Sequence, residues 1–132
     1  MFDSIDPRSP TPLYEQIAAC VRLAIATGAL KAGTALPSVR SLSNQLRLNP
    51  ATVVQAYREL SMEGFVDRRH GAGTFVQEVG ADVRAREQHQ EARRIARRAL
   101  TEAVRSGVSA EDLRKALEEE MTSATVTTEA SE

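Results

Sequence analysis

A single cysteine, Cys20, occurs in 132 residues. A disulfide framework within the chain and a cysteine-rich zinc site are therefore excluded. Cys20 sits among Ile17, Val21 and Ala24, where a buried small hydrophobe is expected. Tryptophan is absent and aromatic residues make up 4%, so a core must be aliphatic. No apolar run reaches the roughly 20 residues of a membrane-spanning helix, and no membrane partner is expected. Net charge is -1, which by itself attracts no partner over long range. A nucleic-acid surface would have to be a local basic face. The opening "MFDSIDPRSPTPLYEQ" is acidic and proline-rich, wrong for a signal peptide, so cytoplasmic residence is expected. No nucleophile beside a base, phosphate-cradling loop or metal-ligand spacing is found, and His89 is isolated. No enzyme activity, cofactor or metal is expected.

Hydrophobic residues make up 42% and charged residues 27%, enough for a globular core. Residues 1–11 read as an extended arm, because Pro7, Pro10 and Pro12 block an early helix. From Pro12 onward Leu13, Ile17, Cys20, Val21, Ala24 and Ile25 recur at spacings of three and four, predicting a helix with one apolar face. Gly28 ends it. "ALKAGTALP" reads as a connection. Ser38 is placed to cap "SVRSLSNQL", with Val39, Leu42 and Leu46 inward. After the short turn "RLN", Asn49 and Pro50 form an N-cap and first-position pair that fixes the start of a third helix. Its inner stripe is Val53, Tyr57 and Leu60, with Ala56 beside it, and Gly64 stops it. Phe65-Val66 and Thr74-Phe75-Val76 predict two short strands joined by the glycine-bearing "HGAG".

From Ala81 the composition shifts to Ala, Arg and Glu. Ala92, Ala96, Ala99 and Ala103, flanked by Ile95, Leu100 and Val104, predict a long helix suited to close approach by another helix. Gly107 breaks it. Ser109 caps a last helix with Leu113, Leu117 and Met121 inward. The paired arginines Arg93-Arg94 and Arg97-Arg98 are expected on a solvated face. Residues 122–132 lack periodicity and are expected to be disordered.

The fold expected is mainly α with a small β-hairpin. A winged helix-turn-helix domain, residues 12–79, is followed by a two-helix dimerisation tail, residues 80–121. In that order of elements, the third helix points its N-terminus into the major groove, where free N–H groups favour phosphate. The wing's glycines let backbone approach phosphate, and its basic residues attract it. Ser38 to Val76 carry five basic and three acidic residues, against nine basic and eleven acidic in 81–132. The local charge thus runs in the right direction for DNA.

Pro12 to Val76 resembles the DNA-binding domain of the GntR family of bacterial transcription regulators. "G-x-L-x-x-G-x-x-L-P-S-x-R-x-L" runs from Gly28 to Leu42, "T-V-x-x-A-Y-x-x-L" from Thr52 to Leu60, and "G-x-G-T-F-V" closes the wing. "N-P-x-T-V-x-x-A-Y" and the short helical tail resemble the YtrA subfamily. The resemblance implies that Arg40 reaches DNA, that Pro50, Ala51 and Val54 form the recognition tip, and that Thr52 contacts phosphate. It also places Arg69, His70 and Gly71 in a wing that reaches the minor groove. Several members carry Arg where this chain has Pro50 and Val54, so contacts to thymine methyls and groove shape are expected instead of bidentate guanine reading. Gln55 is available for a polar contact. Arg58 faces either phosphate or the neighbouring Glu59 and Glu63. Tyr57, on the inner stripe, is expected in the core, with contact of its hydroxyl to a phosphate as the alternative.

The candidate DNA-contacting set is Ser38, Arg40, Asn49, Pro50, Ala51, Thr52, Val54, Gln55, Arg58, Arg69, His70, Gly71, Gly73 and Thr74. The candidate dimerisation set is Ala92, Ile95, Ala96, Ala99, Leu100, Ala103, Val104, Leu113 and Leu117. Together they describe a homodimer on double-stranded DNA, with repression as the family expectation. The alternative is a ligand-responsive regulator, whose small-molecule effector binds at the dimer seam or between domains and releases DNA. The helical residues after the wing are few for enclosing a pocket of roughly 300–1,000 Å³.

Overall fold

Capping chemistry sets the helix starts. The computed structural model describes the backbone of residues 1–131 and the side chains of residues 1–124. It divides into two compact units, Met1–Gln90 and Glu91–Glu132. In the first unit, α1 (Leu13–Thr27) follows Pro12 and ends at Gly28, whose φ of 85° is the left-handed conformation that glycine adopts without strain. Helix α2 (Val39–Leu46) starts at Ser38, whose Oγ accepts from the Ser41 N–H at 3.0 Å. Helix α3 (Pro50–Met62) starts at Asn49, whose Oδ1 accepts from the Ala51 N–H at 2.9 Å. Each cap satisfies an N–H that the helix itself leaves open. Between α2 and α3, Arg47 takes a left-handed φ of 56° and makes the tight turn.

The three helices meet over an aliphatic core. Ile17, Val21, Leu42, Val53, Tyr57 and Leu60 are essentially inaccessible, and Phe65, Val66 and Val76 close one side. Charge reinforces the seam between α1 and the end of α3. Arg22 donates to both Glu63 oxygens, at 3.0 and 2.8 Å, and to Glu15 at 2.9 Å. Burial disfavours the guanidinium charge, but these bonds hold its pKa above the ordinary value.

Tyr57 does two jobs in this packing. Its ring fills the core, and its hydroxyl donates to the Pro37 carbonyl at 2.7 Å, tying α3 to the start of α2. Burial pushes the hydroxyl up to about 12 from 10.0, so it remains a donor at neutral pH. Because the folded value is the higher one, this contribution is intact below pH 10 and is lost as pH rises toward about 12. Tyr57→Phe is expected to cost about 1 kcal/mol of stability, since one acceptor loses its donor. Urea unfolding followed by circular dichroism measures it, and an unchanged midpoint would show the bond to be dispensable.

Strands β1 (Val66–Arg69) and β2 (Gly73–Val76) pair antiparallel, with Val66 opposite Val76 and Arg69 opposite Gly73. The connection before α2 is more ordered than its sequence suggests. The Leu36 N–H donates to the Thr74 carbonyl and the Val76 N–H to the Thr34 carbonyl, both at 2.8 Å. This segment therefore lines the free edge of β2 and anchors the hairpin to the helices.

Residues 1–11 correct the expectation of an extended arm. Two tight turns fold them back, with the Ile5 N–H donating to the Phe2 carbonyl and the Ser9 N–H to the Asp6 carbonyl. Phe2 and Ile5 pack against the core, which compensates for the ordering of the arm. Gln16 clamps it, accepting from the Asp6 N–H at 2.7 Å and donating to the Asp6 and Thr11 carbonyls. Cys20 is half-buried, not buried, and its Sγ lies 3.6 Å from the Ser4 Oγ of the arm.

Helix α4 (Ala81–Arg105) serves both units. Its first part belongs to the first unit: Val83 packs on the core, and Gln88 Nε2 donates to the Ala26 carbonyl at 2.9 Å. The compact unit thus runs past residue 79, where the composition changes. In the second unit, the Val108 N–H donates to the Ala103 carbonyl around Gly107, whose φ is 74°. Ser109 Oγ then accepts from the Asp112 N–H at 3.0 Å, starting α5 (Ala110–Ser131). The backbone of α5 continues past Met121, the end expected from sequence, because neither glycine nor proline interrupts it. Side chains of the expected tail from residue 125 onward, and all of Glu132, lie outside the described residues.

Candidate nucleic-acid interface

Two caps and a hairpin build the candidate surface. At the tip of α3, Asn49, Pro50, Ala51 and Gln55 are exposed, while Thr52 and Val54 are half-buried. The division follows from the helix period: Val53, Ala56 and Tyr57 turn inward, so the intervening residues turn out. The Asn49 side chain is occupied by the Ala51 N–H, and the Thr52 N–H donates to the Asn49 carbonyl at 2.9 Å. The tip is consequently rigid. Arg40 and Ser38 are exposed at the start of α2. Ser43, behind Arg40, is buried and donates from its hydroxyl to the Arg40 carbonyl at 3.0 Å, which holds that turn of α2 in place.

Arg58 is exposed along α3. Glu63, one of the acidic neighbours available to it in sequence, is held instead by Arg22. The ion pair that consumes Glu63 spans 41 positions, and sequence spacing along α3 gives no sign of it.

The wing places Arg68, Arg69 and His70 on an exposed tip with Gly71 and Gly73. Both glycines have positive φ, 78° and 116°, and the Ala72 N–H donates to the Arg69 carbonyl at 3.0 Å. Arg69 is braced: its Nε donates to Asp67 at 3.1 Å, and its guanidinium lies 4.7 Å from the centre of the Phe75 ring. A cation over an aromatic face is attracted by the ring quadrupole. Arg69 is thus a held charge, whereas Arg68, on the same strand, is exposed without such bracing among the described residues. Arg68 lies with the wing candidates although sequence reasoning left it out of the candidate set; its place in the basic "DRRH" run was the available signal.

A cleft of about 620 Å³ separates the start of α2 from the wing, lined by Ser38, Val39, Arg68, Arg69, His70, Gly71, Gly73 and Thr74 among others. It brings together Ser38 and the wing members of the candidate set. Arg40 and the α3 members, from Asn49 to Arg58, do not line it. The candidate residues therefore form two adjoining kinds of surface, a capped helix tip and a walled cleft.

The second unit holds the other candidate set. Ile95, Leu100, Val104 and Leu117 are exposed, Leu113 and Ala99 half-buried, and Ala103 buried. Ala92 and Ala96 are exposed as well. Among the described residues no group of histidines, cysteines or carboxylates is arranged to hold a metal. No described helix is long and apolar enough to cross a membrane.

A tight helix pair, a capped third helix tip and a β-hairpin flanking them define a winged helix-turn-helix protein. The sequence profile of bacterial regulatory proteins of the gntR family matches residues 13–76. YtrA from Sulfolobus acidocaldarius, a GntR-family transcription factor, is 36% identical, with a TM-score of 0.56 over 76% of this chain and 99% of that one. The chain belongs to the GntR family. A GntR family transcriptional regulator from Listeria monocytogenes aligns with a TM-score of 0.63 and 26% identity, over 86% of this chain and 97% of the other. The HTH-type transcriptional repressor YtrA of Bacillus subtilis is 46% identical over 74 residues, 56% of this chain and 57% of that protein. The match thus spans little more than half the length of the Bacillus repressor.

Proposed function

We propose that this chain is a sequence-specific DNA-binding transcription regulator, a repressor that acts in the cytoplasm as a homodimer on a pseudo-palindromic operator. The observation that carries this reading is the rigid tip of α3, capped by Asn49 and exposed from Asn49 to Ala51, beside a glycine-bearing basic wing. Such a tip offers N–H groups and a helix dipole to phosphate. Pro50, Ala51 and Val54 present apolar surface to the groove, which suits thymine methyls and groove shape. Arg40, Thr52, Arg58 and the wing hold the backbone. The relatives named above are a repressor, a transcription factor and a transcriptional regulator, in line with a binding protein and not an enzyme. The uncovered apolar residues of the second unit supply the dimer contact, and two tips then face successive major grooves.

Arg40 tests the reading directly. Its operator follows from capture of genomic fragments by the purified protein. Arg40→Ala is expected to weaken operator binding by about 1–3 kcal/mol, with the core unaffected because the side chain is exposed. A gel-shift titration in fixed salt measures the loss. Equal affinity of variant and parent would remove Arg40 from the interface.

A further inference from the structure

Among the described residues of the second unit, only Ala103 is buried in a single copy. Val104 is 77% exposed, Ile95 55%, Leu117 47% and Leu100 45%, so among the described residues α5 does not cover this face of α4. Helices draw most of their stability from covering such a face.

The two uncovered rows match in spacing. Leading away from the turn, α4 presents Val104, Leu100 and Arg97, and α5 presents Leu113, Leu117 and Glu120. Each row steps by four residues and then by three, which keeps all its members on one helix face. Arg93 extends the α4 row by one further turn. Glu120 therefore stands in line with leucines, where an unpaired carboxylate would be costly once covered. Arg93, Arg97 and Glu120 have no ion-pair partner among the described residues, whereas Arg94 is held by Glu91, and Arg114 by Glu111 and Glu118. The wider charge agrees: 91–105 carries five arginines against two glutamates, and 110–121 carries five acidic residues against two basic ones.

We propose that a second copy of this chain lays its α5 antiparallel on α4, reciprocally, with Val104 opposite Leu113, Leu100 opposite Leu117, and Arg97 opposite Glu120. The pairing rests on the homodimer proposed above and adds its register and its selectivity. A twofold axis makes the contact twice. The charges fix the register because a shift of one turn would set Glu120 against Leu100 in one direction and Leu117 against Arg97 in the other. They also select the partner, because a relative lacking either charge leaves the other unpaired.

Two charge-reversed chains test this. R93E/R97E places acidic groups on α4 opposite Glu120, and E120R places a basic group on α5 opposite Arg93 and Arg97. In sedimentation velocity each variant alone is expected to dissociate at concentrations where the parent is a dimer, with its dissociation constant raised at least about tenfold. An equimolar mixture of the two is expected to recover a dimer, because each altered row then meets a complementary row. A chain with all three substitutions is expected to self-associate again. Unchanged self-association of both variants would overturn the pairing. So would recovery by the triply substituted chain without recovery by the mixture, which would place the contact within one chain. A monomeric parent chain would instead remove the homodimer on which the pairing rests.

Discussion

Leu60→Ala is expected to lower the unfolding free energy of the first unit by about 2–5 kcal/mol, the range for a buried leucine truncated to alanine. Leu60 is 0% exposed, and the carbonyl of the same residue accepts from the Phe65 N–H at 2.9 Å. It therefore lies where α3 hands over to the hairpin. The cavity would open between α1, α3 and the strands, and the aliphatic core has few large side chains able to move into it. Small domains retain about 5–15 kcal/mol in total, so this single change removes a large share. Both tyrosines, Tyr14 and Tyr57, lie in the first unit, so tyrosine fluorescence in urea reports that unit without interference from the second. A midpoint equal to that of the parent would mean that the site collapses without cost and that Leu60 is not held in a close-packed core.

Leu60 was readable from sequence, and the reason is local. The core faces of α1, α2 and α3 follow from three- and four-residue spacing, and their ends from Gly28, Ser38, Asn49 and Pro50, all residues that act on their own neighbourhood. The missed features depend on distant partners. Thr34 and Leu36 bond to the edge of β2, a pairing that leaves no periodic trace in "ALKAGTALP". The arm folds back because Gln16 supplies both a donor and an acceptor ten residues away. Glu63 is claimed by Arg22 from another helix. The candidate surface shows the same division. Caps and wing glycines are local and were legible, while the placing of the Arg69 guanidinium over the Phe75 ring becomes visible only once β1 and β2 are paired.

The place where α4 changes units decides how the dimer is best separated from the DNA-binding surface. A cut after Val79, where composition shifts, would also remove Val83 and the Gln88 bond to the Ala26 carbonyl, and so would weaken the first unit. A chain ending at Gln90 keeps both contacts and drops the uncovered residues Ile95, Leu100, Val104 and Leu117. It is expected to remain folded, to sediment as a monomer, and to bind the operator about 10²–10⁴-fold more weakly than the full chain, because the second half-site is no longer tethered. Arg40, Asn49 and the wing are retained, so each half-site contact persists and only the linkage between copies is lost. The loss in affinity should therefore exceed that of Arg40→Ala, which removes one contact per copy. Gel-shift titration of both chains on the same fragment compares them. If residues 1–90 still sediment as a dimer, the interface lies in the first unit, and the exposed rows of α4 and α5 must serve another contact.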